Sequence, residues 1–242
     1  MSATMEGDGV NHLLNELPRI DRHRTLARCE SVDLVVGATL CETDEPLRHV
    51  YFPLSGFISL VTKVGDHRPL ELGLVGSEGM LGATLVLGVN TAPQRAVVQG
   101  SGIALRMSKQ ELAGELRENP YLARSLNRYL YVWIAELSQS TACARFHDVE
   151  ARLSRWLLTT HDRAAADHFC LTHEFLADML GVRRSAITIA AGGLRRRRLI
   201  QYVRGEIRIL DRRGLEAASC ECYGAGRAQY TRTFTRRGDR RS

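Results

Sequence analysis

A chain of 242 residues, 44% hydrophobic and 25% charged, has the make-up of an ordinary soluble protein, with room for one large or two small domains. It has no run of the roughly 18 to 20 apolar residues that a membrane span needs, and its start, MSATMEGDGVNHLLNELP, carries acids rather than a secretory pattern, so a cytoplasmic protein with no membrane partner is expected. The net charge of +6 is uneven: from Leu171 onward 16 arginines face 7 acids, a net of +9, while the remainder holds 17 bases and 20 acids, a net of −3. A basic end on a near-neutral body calls for a polyanionic partner at that end.

After a short helical lead (NHLLNELPRI), Ser31 to Met107 is rich in Val, Leu, Ile, Phe and Tyr in short runs broken by glycines. Many short strands at close spacing predict a small sandwich or barrel. The insert GSEGMLGATLVLGVNTAP breaks the alternation and is read as a short helix. Ser108 with Glu111 three residues on is a capping box, and Pro120 closes the helix it opens. A stretch of about 26 residues follows without Pro or Gly. In it Leu122, Leu126, Tyr129, Trp133, Leu137 and Ser140 recur at steps of three and four, and a second apolar set holds Leu130 and Ile134. One face is expected to pack on the chain's own strands, and the second apolar set leaves a face for a partner helix; Leu126, Tyr129, Trp133 and Leu137 are the candidate dimer residues. HDVEARLSRWLLTTHDRA is the next helix, with Val149, Leu153, Trp156 and Leu157 inward. AAADHFC reads as a connector.

Leu171 to Ile200 carries the chemistry. Thr172 suits the N-cap of a helix whose inward face is Phe175, Leu176, Met179 and Leu180. Gly181 supplies the left-handed residue of a tight turn, and a second helix buries Ile187, Ala190, Ala191 and Leu194. This is a helix-turn-helix pattern, and Arg183, Arg184, Ser185 and Thr188 then fall on the outer, N-terminal face that enters the major groove of double-stranded DNA. Gly192 and Gly193 each weaken the helix by about 1 kcal/mol relative to alanine and point to close packing. Arg195 to Arg198 lie at its far end, where phosphate contact, helix-dipole complementation or a domain interface suits them better than base reading. LIQYVRGEIRIL is a hairpin around Arg204-Gly205, DRRGLEAASCECYGAG closes the fold, and RAQYTRTFTRRGDRRS is expected to be disordered.

The β-rich run with VYFPLSGFISLV, the long helix, RFHDVEARLSRWLL and the winged helix-turn-helix LTHEFLADMLGVRRSAITIAAGGLRRRRLI together resemble the bacterial Crp/Fnr family, over about residues 20 to 215. The resemblance implies an α+β fold: a cyclic-nucleotide-binding-like β-roll over 20–118, a dimerisation helix over 119–146, a winged helix-turn-helix over 147–218 and a basic tail over 219–242. It also implies a transcription regulator, not an enzyme. Such a regulator binds a partly palindromic operator as a homodimer, senses an effector in the roll, and has RNA polymerase as a candidate partner. In that register Arg184 matches the first base-contacting arginine, Thr172 and Arg204 match phosphate contacts, and Ser185 and Ile189 stand where a glutamate and a second arginine usually read bases.

The same resemblance marks Gly82, Arg95 and Ser138 as effector-site positions. Ala83 and Ala96 replace the family's ribose-binding glutamate and phosphate-binding serine, so cyclic AMP is not expected in the usual mode and no cofactor is expected. Arg95 is read either as a phosphate ligand or as the partner of Glu71 or Glu78. Cys29 and Cys41 lack the clustering of an iron–sulfur branch. Cys143 and His147, four apart, are read as packing plus a surface histidine rather than as metal ligands, and Cys220 and Cys222 have no matching second pair in the sequence. Two rivals stand beside the regulator: a cupin-like metal enzyme, for which the eight histidines are too scattered, and a ligand-binding scaffold, against which the basic end argues.

Overall fold

The computed structural model describes residues 10–164 and 168–235. The lead forms α1 (His12–Asn15) and, after Pro18, α2 (Arg19–Ala27). Buried Asn11 caps α1 and donates to the carbonyls of Pro53 (3.1 Å) and Gly79 (2.8 Å), which ties the lead to the strands behind it. Those strands are β1 (Glu30–Leu34), β2 (Thr39–Cys41), β3 (His49–Pro53), β4 (Phe57–Thr62), β5 (Leu70–Val75), β6 (Arg95–Gly100) and β7 (Gly102–Ser108). They make two antiparallel sheets, ordered β1-β7-β3 and β2-β6-β4-β5. The sheets close on an apolar core of Leu34, Tyr51, Ile58, Val75, Val98 and Ala104. The insert expected to be helical is a single 3-10 stretch, Ala83–Leu87, between left-handed Gly82 and Gly88.

Ser108 and Glu111 form the expected capping box at the start of α3 (Lys109–Glu118). Pro120 takes the first position of α4 (Pro120–Phe146), where its missing N–H costs nothing. Next come α5 (Val149–Ala164), β8 (His168–Cys170), α6 (His173–Leu180), α7 (Arg184–Arg196), β9 (Ile200–Val203), β10 (Glu206–Ile209), α8 (Arg212–Ala218) and α9 (Cys222–Phe234). The connector thus contains a strand: β8, β10 and β9 form one antiparallel sheet, the wing. One continuous core joins Phe57 and Leu74 of the roll to Leu153, Trp156 and Leu157 of α5 and to Leu176, Ile187, Leu194 and Ile207 of the winged helix. Truncating a fully buried member such as Leu157 to alanine costs about 2 to 5 kcal/mol.

Two expectations need correction. The tail is helical over Cys222–Phe234 rather than disordered, because Phe234 and Tyr230 stack on each other and pack into the core of the strand domain beside α4, supplying the tertiary burial that its polar composition hides. Its last residues, 236–242, lie outside the described residues. The long helix also turns its strongest apolar stripe inward. Leu126 (0% exposed) and Tyr129 (4%) belong to the protomer's own core, Trp133 packs against the roll interior, and Leu137 is half-buried in a cleft, so none of the four presents an open dimer face. Spacing finds a stripe but cannot say which partner covers it. The outward row is a different one: Tyr131 (59%), Ile134 (61%), Ser138 and Thr141. No helix among the described residues is long and apolar enough to cross a membrane.

Candidate nucleic-acid interface and sensor junction

The helix-turn-helix is built from local rules. The Thr172 hydroxyl accepts from the Phe175 N–H (3.1 Å) to start α6, and Gly181, at φ 63°, ends it in the left-handed conformation that only glycine adopts without strain. Arg183 occupies the N-cap of α7 with no side-chain cap bond, so its guanidinium stays free of the helix end. On α7, Ile187, Ala190, Ala191 and Leu194 are buried, while Arg184, Ser185, Thr188 and Ile189 stand in solvent. The Thr188 hydroxyl already donates to the Arg184 carbonyl (3.1 Å) and lies 3.0 Å from His173 Nδ1. His173 in turn stacks on Tyr202 of the wing, with ring centroids 4.4 Å apart. Burial, helped by Arg184, holds the His173 pKa below its usual value. This histidine, missed in the sequence, links both helices and the wing; its signal was an aromatic partner 29 positions on, which a local pattern does not reveal.

The four consecutive arginines separate into distinct roles. Gly193 sits so close to α5 that a Cβ there would collide with Glu150 Oε2, and Glu150 pairs with Arg197. Arg198, at φ 57°, takes the left-handed position that closes α7, with Leu199 N–H returning to the Leu194 carbonyl (3.0 Å). Arg195 and Arg196 fill the last turn of the helix. At the wing tip Arg204 (φ 51°) and Gly205 (φ 87°) form a two-residue turn with both φ positive, as tight hairpins require. Arg183, Arg184, Arg195, Arg196, Arg198 and Arg204 are exposed and form no ion pair among the described residues.

The three effector-site positions do not come together. Gly82 lines a cavity of about 40 Å³ inside the roll, bounded by apolar groups such as Leu60, Met80 and Leu130. Arg95 points outward from β6, where it pairs with Glu42 (3.2 Å) and donates to the Thr39 hydroxyl (2.9 Å); it meets neither Glu71 nor Glu78, because it occupies the outward position of the strand. Ser138 is exposed and donates to the Ile134 carbonyl of its own helix (3.0 Å).

A more spacious cleft, of about 580 Å³, lies between β5, α4, α5 and α9. Arg163, its side chain only 11% exposed, crosses its wall. It donates to the Leu74 carbonyl (2.7 Å) and to both carboxylate oxygens of Glu136 (2.7 Å each), and pairs with Glu78 (3.3 Å). Glu71 lies beside it, accepting from Trp156 Nε1 (2.6 Å) and from the Ser59 hydroxyl (2.6 Å). Burial pushes the Glu71 carboxyl up to about 7, against the pull of those two hydrogen bonds and of Arg163 and Arg155. Across the same junction Arg68 of the roll pairs with Glu174 and Asp178 of α6, and Met179 packs on Val61 and Val97.

The two cysteine motifs that stood apart in the sequence meet in space. The donor atoms of Cys143, His147, Cys220 and Cys222 all lie within 4.8 Å of one another, so each pair supplies what the other lacks.

Residues 151–218 match the Crp-like helix-turn-helix domain, and residues 32–119 match the cyclic nucleotide-binding domain. No curated protein matches the chain in sequence. Among solved structures, FixK2 from Bradyrhizobium japonicum is 15% identical over 79% of this chain and 98% of its own, with a TM-score of 0.67. CLP, a c-di-GMP-responsive global regulator from Xanthomonas campestris, is 17% identical over 79% of this chain and 99% of its own, with a TM-score of 0.64. A Crp-family transcriptional regulator from Thermus thermophilus is 20% identical over 78% of this chain and 96% of its own, with a TM-score of 0.63. At these identities the solved structures speak for the fold.

Proposed function

Because this chain belongs to the Crp/Fnr family of transcription regulators, we propose that it acts as a homodimer on a partly palindromic operator and reads it with the N-terminal face of α7. One observation carries this reading: Arg183, Arg184 and small Ser185 at the entry of α7 and Arg204 at the wing tip are all exposed, the arginines form no ion pair among the described residues, and His173, which meets Thr188 of α7 and stacks on Tyr202, ties the wing to that helix. Arginine there can donate two hydrogen bonds to a guanine edge, while Thr172 and Arg204 meet phosphates on either side. The Thr188 hydroxyl is engaged with His173 and the backbone, so its share in reading is smaller than that of Arg184. Ser185 and Ile189 give this protein its own base preference.

The outward row Tyr131, Ile134, Ser138 and Thr141 recurs at steps of three, four and three, the spacing of a seam between paired helices, and supports dimerisation through α4. The signal enters at the sensor junction rather than through cyclic AMP in the family's usual mode. In support, a cavity of about 40 Å³ is far below the several hundred Å³ of a ligand pocket, and Arg95 faces away from it.

Sedimentation and anisotropy on an operator selected from random DNA test the reading. The wild type should sediment as a dimer and bind one palindrome per dimer. Ile134→Glu should yield monomers that bind about 100-fold more weakly, since the second half-site then no longer adds to the first. A monomeric wild type with full operator affinity, or one with no preference over random DNA, would overturn it.

A further inference from the structure

Four soft ligands from two distant stretches of chain converge where α9 begins. Cys143 and His147 are one turn apart at the end of α4 and so share a face. Cys220 and Cys222 flank Glu221 at the entry to α9. Cys143 Sγ lies 3.5 Å from Cys220 Sγ, and Cys222 Sγ lies 3.6 Å from His147 Nδ1. A tetrahedral zinc ion, with bonds of about 2.3 Å to sulfur and about 2.0 Å to nitrogen, sets its ligand atoms about 3.5 to 3.8 Å apart. Two of the six edges of the set thus have the lengths of a single-ion site, and all six lie within 4.8 Å, so a small inward shift of the side chains closes it on one ion. An iron–sulfur cluster, which spreads its thiolates around a core of irons and sulfides, needs a wider set.

The surroundings of these atoms point the same way. The three cysteines are buried. His147 Nε2 lies 3.1 Å from Glu221 Oε1. A proton on Nε2 donated to that carboxylate leaves the Nδ1 lone pair facing the sulfurs, as a carboxylate does behind a metal-bound histidine. Gln139 Nε2 donates to Cys222 Sγ (2.9 Å), a bond that favours a thiolate. Arg155 lies within electrostatic reach of Cys143, and Arg152 within reach of Cys143 and Cys220. They balance the single negative charge of a zinc ion held by three thiolates and a neutral imidazole.

We propose that Cys143, His147, Cys220 and Cys222 bind one Zn(II) ion as a structural Cys3His site. On binding, three thiols lose their protons to solvent, three thiolates and the imidazole donate lone pairs, and no electron is transferred. The ion fastens the start of α9 to the end of α4. From there α9 runs back along α4 to the roll, where the Tyr230 hydroxyl donates to the Glu78 carbonyl (2.9 Å) and Phe234 is buried. The strap is thus held at both ends, and the metal fixes the winged helix against the long helix and the sensor.

The test uses the full chain purified under reducing conditions without chelator. Elemental analysis should find about one zinc per chain, and exchange with Co(II) should give the thiolate charge-transfer and visible bands of a tetrahedral sulfur-rich site. Cys143→Ser and Cys222→Ser should each lower bound zinc below about a tenth of that amount. His147→Cys keeps four soft ligands and should retain the metal, which separates loss of a ligand from loss of the fold. Removing zinc should also speed amide exchange in residues 219–234, the α9 strap, before it does so in α4. Reduced protein that takes up neither Zn(II) nor Co(II), zinc that stays undiminished in both serine variants, or a Cys143–Cys220 disulfide in the isolated protein would each overturn the proposal.

Discussion

Arg184 and Arg163 stand about twenty residues apart and are handled in opposite ways. Arg184, at the head of α7, is exposed and unpaired among the described residues. Arg163, near the end of α5, has its side chain only 11% exposed and holds Glu136, Glu78 and the Leu74 carbonyl at once. A guanidinium left in water keeps its hydration and is free to exchange it for phosphate or a base edge. One taken out of water must be matched by carboxylates and cannot be released without cost. The winged helix therefore keeps its cations for a partner, while the junction between the roll, α4 and α5 uses its own to hold three elements together.

Substitutions at the junction should have the largest effects. Arg163→Ala leaves Glu136 and Glu78 uncompensated and should destabilise the protein by about 3 to 5 kcal/mol in denaturant melts. A loss under about 1 kcal/mol would show that the cluster is not buried in solution.

Glu71 comes next. Its folded value, about 7, lies above its ordinary value of 4.5, so the protonated form is favoured in the fold. Its contribution is fully present below pH 4.5 and is lost as pH rises through about 7. The groups facing it are Ser59 from β4 and Trp156, Arg155 and Arg163 from α5. Thermal melts should fall between about pH 5 and pH 8, and Glu71→Gln should flatten that dependence. An equal slope in both proteins would contradict the assignment.

The exposed arginines at the end of α7 should leave stability alone and change affinity instead. Replacing Arg195, Arg196 and Arg198 by Gln should lower the slope of log affinity against log salt by about 0.9 for each phosphate no longer neutralised, equally on all sequences. Melting should shift by no more than about 0.5 kcal/mol. The smallest effect belongs to Arg197→Gln, which removes a solvent-exposed pair with Glu150 and should cost under about 1 kcal/mol. If Arg197 changed the salt slope as much as its neighbours, the separation of their roles would fail.

What the sequence revealed follows the range of the interactions. The Ser108–Glu111 box, the Thr172 cap, the Gly181 turn and the Arg204-Gly205 hairpin each lie within a few residues, and each was legible because its geometry is local. The partners of Arg95 and Glu78 were not. Strand alternation puts Arg95 outside the roll beside Glu42, and Glu78 meets an arginine 85 positions later. Of the outward row of α4 the sequence offered Ile134, paired with Leu130, which the fold buries; the stronger stripe with Leu126 and Tyr129 drew the dimer assignment inward. The helix α9 holds Gly224 and Gly226 and few apolar residues, so its own propensity is poor and tertiary contacts of Cys222, Tyr223, Tyr230 and Phe234 anchor it. Cys143 and Cys220, 77 residues apart, meet only once the fold brings the start of α9 back to the end of α4.

The most direct test is the base preference of Arg184→Ala, measured by selecting bound sequences from random DNA beside the wild type. Discrimination should fall at one base pair in each half-site, by about 1 to 3 kcal/mol, while the other positions and the salt slope from Arg195, Arg196 and Arg198 persist. An unchanged preference at every position would contradict the placement of the reading face on α7.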